Sequence, residues 1–474
     1  MSSAAKRLPE WTTALALFVA VAASLLVGLA GPTDARPGYI HDECYQAFTA
    51  HRYAEGDPAA WGWAAREDVE KFDKTDMTPH TTYEWVHPPT AKLIMSASIS
   101  LLGFTPFAYR LPSVLVALFT MLMAYLIGRR VYGQEAGLLA VGLMAVDGLF
   151  FVMSRIAMND IYVAAMIAGL GYGVIRYFLE PERPLRWMLW SGAFAGLALS
   201  TKWNAAPSVL LAGLLFIADI AWRRRHQVPT LRPLLMLGLS FGVLPPLIYL
   251  LSYAPFFMLG HHFQDLVKLT QDIWGYHHNL KEGHSSSSHW FQWPFAIRPV
   301  WFFQEDGSVQ GTLREIYAFP NPLVWVAMFV SVGALAYRTS VEKKLPEFLL
   351  LAFFGAVWLP WAVIGRVTFI QYVLPAMTFG APVLAGALKR WMDRGQKIPV
   401  AAYLLGCFLS FANLYPILNG MDVAPDQLKT HRWFWLDIWR TCSGSCASYQ
   451  REGSFTIAQS TGTTPPADLK GDQQ

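Results

Sequence analysis

Two adjacent carboxylates, Asp42 and Glu43, open a polar stretch at residues 39–92, and His87-Pro88-Pro89 with Lys92 closes it. Further along, single charges interrupt long apolar runs: Arg110, Arg155, Asp160, Lys202 and Arg366. A carboxylate facing several cations suits transfer from a phosphate-linked donor. The cations hold the leaving phosphate, and the carboxylate takes a proton from an acceptor hydroxyl. Arginine fits phosphate through its planar fork. For any one of these charges the alternative is a long side chain reaching the interface, or a structural ion pair such as Arg155–Asp160. Charges buried at membrane depth cost several kcal/mol unless paired or functional, so the whole set together points to a charged cavity.

The elements that must position these residues are helices in a bilayer. Of 474 residues 54% are hydrophobic and only 15% charged, against roughly 25% charged in a soluble domain. Apolar stretches of about 20 residues recur, which predicts transmembrane helices and excludes the alternating pattern of a barrel. The expected spans are 11–30, 107–128, 134–153, 158–178, 187–203, 205–222, 231–253, 322–337, 347–364, 368–388 and 398–418, about eleven in all. The first is read as a retained helix rather than a signal peptide, because its apolar core is long and no small-residue cleavage site follows. With the N-terminus in the cytoplasm, the inside connections carry Arg129-Arg130, Glu180–Arg186, Arg223-Arg224-Arg225 with Arg232, Arg338–Lys344 and Lys389–Lys397, in keeping with the positive-inside rule. The C-terminus then lies outside, and the cavity charges gather at the outer helix ends.

The fold class expected is an all-α polytopic membrane protein. Its transmembrane domain spans 1–420, with outside loops at 31–92 and 256–320 and an outside tail at 421–474, partly disordered. The second loop is rich in histidine and tryptophan (His261, His262, His277, His278, His284, His289, Trp274, Trp290, Trp293, Trp301), as a segment lying in the membrane interface would be. Its histidines are read as interface residues rather than metal ligands, with a metal as the alternative. The tail holds Cys442 and Cys446, a disulfide candidate in an outside compartment; two unlinked thiols are the alternative. The small net charge of +4 falls in short connections and argues against nucleic-acid binding. Nucleotide loops, a dinucleotide fingerprint, a Ser-His-Asp signature and a zincin motif are all absent, so the transferred group must come from another source such as an activated lipid.

Several motifs, taken in order, carry a resemblance. They are His41-Asp42-Glu43, Val86-His87-Pro88-Pro89-Thr90-Ala91-Lys92, Tyr109-Arg110-Leu111, Ser154-Arg155 with Asp160, Ser200-Thr201-Lys202-Trp203, Trp293-Pro294 with Arg298-Pro299-Val300-Trp301-Phe302-Phe303, and Arg366 with Gln371-Tyr372 and Pro375. The set resembles the protein O-mannosyltransferases (glycosyltransferase family 39), polyprenyl- or dolichyl-phosphate-mannose-dependent enzymes of the membrane glycosyltransferase C fold. The likeness covers about residues 10–420.

The resemblance implies transfer of mannose from a lipid phosphate to a Ser or Thr hydroxyl of an exported protein. Transfer would invert C1, need no metal or other cofactor, and take place at the extracytoplasmic face of the plasma membrane. The implied partners are the lipid-linked donor, a Ser/Thr-rich acceptor, the bilayer and the secretion translocon. Asp42 matches the catalytic carboxylate, expected as general base, and Glu43 the second acid, positioning acceptor or sugar. Arg110 matches an arginine serving the lipid phosphate. His87, Lys92, Arg298 and Arg366 take cavity or donor contacts, with Arg155, Asp160, Lys202 and Tyr372 as further cavity positions.

Three departures are visible. The 256–320 loop is too short for the β-trefoil domain of the eukaryotic enzymes, which points to a bacterial or archaeal-type member. The spacing of Tyr83-Glu84-Trp85-Val86 leaves Glu84 as an alternative second acid to Glu43. Gln371 stands where His or another polar residue is expected. The competing readings are the same fold moving another sugar, such as aminoarabinose, to lipid A or a glycan, and a transporter. The latter usually places its charges near the bilayer midplane.

Overall fold

Continuous apolar sequence becomes helix because a chain in lipid must satisfy its backbone polar groups internally. The computed structural model describes residues 10–29, 40, 42–61, 84–180, 184–280, 286–306 and 308–427. In chain order the first helices are α1 (Glu10–Leu26), α2 (Glu43–Ala54), α3 (Thr90–Leu102), α4 (Pro106–Tyr132), α5 (Gln134–Ala145), α6 (Gly148–Met153), α7 (Asn159–Leu179) and α8 (Pro184–Leu199). Then come α9 (Ala206–Arg225), α10 (Leu231–Leu237), α11 (Leu244–Ser252), α12 (Ala254–Met258) and α13 (Phe263–Asn279). After a hairpin of β1 (Val300–Asp306) and β2 (Leu313–Ala318) the chain ends in α14 (Pro322–Glu342), α15 (Leu345–Trp358), α16 (Met377–Asp393) and α17 (Lys397–Asn419).

Each of the eleven expected stretches falls on helix. Among the described residues, eight helical runs are long and apolar enough to cross a membrane. Ends follow local chemistry. The Thr105 hydroxyl accepts from Ala108 N at 3.2 Å at the start of α4, Pro106 sits in its first turn, and Gly133 (φ +97°) stops it. The expected 134–153 span is broken at Asp147. That residue leaves the helix, and its carboxylate caps α6 through Phe150 N at 2.9 Å and ties α14 through Asn321 N at 2.9 Å. α10 and α11 join through a π-helical turn at Gly238–Val243. Pro245 and Pro246, just beyond it, lack the N–H groups a regular helix would use.

α7 and the run ending in α16 form the centre, with 89% and 94% of their apolar windows buried, whereas the α10–α11 run buries 11%. Its bare apolar sides suit contact with lipid chains. α8 meets the π turn so closely that a Cβ on Gly192 would lie 2.0 Å from the Ser240 carbonyl oxygen; small residues permit such approach in membranes.

Two features depart from the all-α expectation. The 256–320 segment contains the antiparallel hairpin, paired Val300↔Ala318 through Asp306↔Leu313 with an irregularity between Trp301 and Phe303. The 31–92 segment is not all loop: α2 lies inside it, and α3 begins at Thr90. α2 packs on α3, and its flank joins α13 in an aromatic cluster of Phe48, Trp61, Trp85, Tyr253 and Phe256 with Leu266, Leu269 and Ile273. That cluster fastens the chain around α2 and Trp85 to the stretch from Tyr253 through α13.

Candidate functional site

Neighbouring positions on a helix point about 100° apart, and this separates the two carboxylates at the start of α2. Asp42 precedes the first turn, half-buried, its carbonyl accepting from Tyr45 N at 3.0 Å. Glu43 turns fully inward. Arg110 Nε and Nη2 donate to its two oxygens at 2.8 and 2.6 Å. The same oxygens accept from Ala157 N at 2.9 Å and Ile40 N at 3.1 Å. Arg110 also donates through Nη1 to the Leu29 carbonyl at 3.2 Å. Both side chains are at most 1% exposed. Glu43 and Arg110, expected respectively at the acceptor or sugar and at the phosphate, are bound to each other and brace α1, α2, α4 and the turn before α7.

Glu84, the alternative second acid, is buried just ahead of His87. Its backbone N–H donates to Thr49 Oγ1 at 2.8 Å, and its Oε2 accepts from Lys92. Lys92 Nζ also donates to the His87 carbonyl at 2.9 Å. Lys202 Nζ bonds Asp160 Oδ1 at 2.8 Å and lies 4.8 Å from the centre of the Tyr372 ring. The expected alternative pair, Arg155–Asp160, does not form. Instead Arg155 donates to Asn419 Oδ1 and to the Val27 carbonyl, clamping α1 to the end of α17.

His87 is the hub. It sits half-buried, and burial with the charges of Lys202, Lys92 and Arg366 holds its imidazole well below the ordinary range. Glu84 is pushed upward by burial, against the opposing pull of Lys92, and the charge of Asp42 adds to that rise. Tyr276 is pushed up to about 12 by burial and by the Asp42 charge. Asp42, Glu84, Tyr276, Lys92, Lys202 and Arg366 therefore share one electrostatic neighbourhood. Three buried polar groups beside it have no hydrogen-bond partner among the described residues: Glu84 Oε1, the Asn159 amide next to Asp160, and Gln371 Oε1 next to Tyr372. Unspent buried polar atoms mark places where a ligand or water completes the bonding.

Arg298 lies on the loop before β1. Its backbone is left-handed (φ +59°), as is that of Ala296 (φ +51°), a conformation that costs non-glycine residues about 1–3 kcal/mol and that clusters at functional sites. The loop is pinned to the Arg366–Tyr372 segment by Ser288 N to the Thr368 carbonyl at 2.9 Å and by Thr368 Oγ1 to the Ser288 carbonyl at 2.6 Å. Cys442, Cys446 and His284 lie outside the described residues. Among the described residues no three His, Cys, Asp or Glu side chains converge as a metal would require.

Composition alone leaves His277 among the interface residues and does not single out Tyr276. The pattern that marks them is the buried stripe of α13, Leu266, Leu269 and Ile273, whose helical spacing continues to 276–277. His277 Nδ1 lies 2.5 Å from Arg366 Nη1, and its Nε2 lies 2.9 Å from the Val86 carbonyl. Its ring stacks on His87 at 5.1 Å.

The chain is similar to known proteins over most of its length. Residues 86–249 match the family model described as dolichyl-phosphate-mannose-protein mannosyltransferase, and residues 262–439 match that of the C-terminal four-transmembrane region of protein-O-mannosyltransferase. The polyprenol-phosphate-mannose–protein mannosyltransferase of Mycobacterium tuberculosis is 25% identical over 75% of this chain and 81% of its own length. That of Mycolicibacterium smegmatis is 24% identical over 92% of this chain and 94% of its own. In fold, the chain is similar to the yeast Pmt1-Pmt2 complex bound to its sugar donor (TM-score 0.71, 14% identity, 88% of this chain and 92% of that one). It is also similar to ArnT from Cupriavidus metallidurans bound to undecaprenyl phosphate (TM-score 0.55, 16% identity, 90% and 77%).

Proposed function

Because the chain belongs to the protein O-mannosyltransferase family, we propose that it moves a mannosyl residue from a polyprenyl-phosphate donor to Ser or Thr hydroxyls of exported proteins. The observation that supports the site assignment is the gathering of Lys92, Lys202 and Arg366 about His87, His277 and Tyr372, beside Glu84 and Tyr276, whose acids the Asp42 charge raises. Asp42 takes the acceptor proton as the hydroxyl oxygen attacks C1. The C1–O bond to phosphate breaks on the opposite face, inverting the centre. The electron pair leaves on the phosphate, where Lys202 and Arg366 balance the charge. Fixed cations supply the neutralisation for which other transferases use a metal, so the reaction needs no metal or other cofactor.

Arg110 enters this reading through Glu43: the pair sets the register of α2 and so aims Asp42. Glu84, with one carboxylate oxygen unspent, is the better candidate for the second acid at the acceptor or sugar. His87, Lys92 and Arg298 line the donor side. The site faces the extracytoplasmic side of the plasma membrane, where acceptors emerging from the secretion translocon would meet it.

Purified protein given polyprenyl-phosphate-mannose and a Ser/Thr-rich peptide should release polyprenyl phosphate and glycosylated peptide, with or without a chelator. Asp42→Asn should lose about 100-fold or more in kcat. Full activity in that variant would remove Asp42 as base, and turnover only with a different sugar would transfer the chain to the other branch of the fold.

A further inference from the structure

Resting on the donor reading above, we propose that His277 is a positioning residue for transfer: a neutral imidazole held in one tautomer that seats the Arg366 guanidinium for the leaving phosphate.

The tautomer follows from the partners. Arginine can only donate, so His277 Nδ1 beside Arg366 Nη1 at 2.5 Å must present a bare lone pair. The proton then sits on Nε2, which donates to the Val86 carbonyl at 2.9 Å. One ring thus joins three elements: α13, the segment leading into His87-Pro88-Pro89, and the loop carrying Arg366. Arg366's other bonds are longer and lie within its own loop, to the Val367 carbonyl at 3.3 Å and the Tyr372 hydroxyl at 3.4 Å. His277 is therefore its one short contact from another element among the described residues. Of the five N–H groups of a guanidinium these bonds occupy three, which leaves two for an anion.

The environment keeps the imidazole neutral. Burial, followed by the charges of Arg366 and Lys202, lowers it to about 4. The groups facing it are Arg366, Lys202, the stacked His87 and the neighbouring Tyr276. Protonation would put a second N–H against Arg366 and expel the guanidinium. Donor affinity should accordingly fall as pH drops from about 6 toward 4.

Two near-isosteric variants separate the ring's two bonds. His277→Asn keeps an acceptor near the position of Nδ1, and His277→Gln keeps a donor near that of Nε2. With polyprenyl phosphate as probe, His277→Asn should bind within a few-fold of the wild type at neutral pH and keep only the acid decline that protonation of the probe's own phosphate (second pKa about 6) imposes, whereas the wild type should fall further toward pH 4. His277→Gln should bind about tenfold more weakly, with the acceptor KM unchanged. In a double-mutant cycle, His277→Gln should add nothing once Arg366→Ala is present, a readout that stands even if the Gln variant has a lower Tm. Equal loss in both variants, additive loss in the cycle, or an effect confined to the acceptor KM would overturn the role of His277. Failure of the wild type to bind polyprenyl phosphate at all would instead overturn the donor reading on which it rests.

Discussion

Glu43 spends both carboxylate oxygens inside the protein, on two N–H groups of Arg110 and on the backbone of Ala157 and Ile40. Breaking a buried pair by removing one partner leaves an uncompensated charge and costs about 3–5 kcal/mol. Arg110→Ala should therefore lower folded yield and Tm in detergent, and reduce donor and acceptor binding together. Adding Glu43→Leu should recover only part of the loss, since two backbone donors would still lack their acceptor, at about 1–3 kcal/mol each. Selective loss of donor affinity at unchanged Tm would return Arg110 to the phosphate. Asp42→Asn changes neither size nor burial at a half-buried position, so its effect should fall on kcat with Tm nearly unmoved.

At the scale of elements, the hairpin between α13 and α14 is fastened by Asp422, just past α17. Its carboxylate accepts from Ser308 N at 2.7 Å, from the Ser308 hydroxyl, and from Arg314 Nε at 3.1 Å. The Ser308 hydrogen bond, then Arg314, holds its acid down to about 2. A depressed carboxylate stabilises the fold at neutral pH and loses that contribution as pH falls from about 4 through 2. Exchange of the Leu313 and Val423 amides, which bond each other's carbonyls at 2.9 and 3.0 Å, should accelerate over that range beyond its intrinsic rate. Asp422→Asn should show faster exchange already at neutral pH, and unchanged protection would mean that the sheet holds without it.

The long spans were legible from sequence because continuous apolar runs need no partner to declare themselves. α3 was not, at 13 residues, too short to cross a bilayer and directly after a polar loop. The hairpin was hidden among interface aromatics. Pairing was the least legible: the sequence marks Glu43, Arg110, Asp160 and Lys202 as charges out of place, but Glu43 lies 67 residues from Arg110 and Asp160 42 from Lys202. Only the folded chain decides that Glu43 is buried against Arg110 while Asp42 stays half-buried within electrostatic reach of Glu84 and Tyr276.

For the whole molecule, the remaining question is which way the charges face. Along α4, Arg110 and Arg130 are separated by twenty residues, which at 1.5 Å per residue is about 30 Å, the thickness of a bilayer's hydrocarbon core. Arg130 donates to the Leu179 carbonyl at 2.9 Å at the end of α7, and Lys389 and Arg390 of α16 lie near Glu135 and Glu347. The basic helix ends thus share one side, and Arg110 with the Asp42 site marks the other. Short loops rich in Lys and Arg stay in the cytoplasm, so the site should open outward. In a background lacking Cys442 and Cys446, a cysteine at exposed Val309, on the hairpin turn, should react with a membrane-impermeant thiol reagent on intact cells. A cysteine at exposed Arg224, at the end of α9, should react only once the membrane is opened. The reverse pattern would put the donor site on the cytoplasmic face, where an acceptor would have to be modified before export rather than during it.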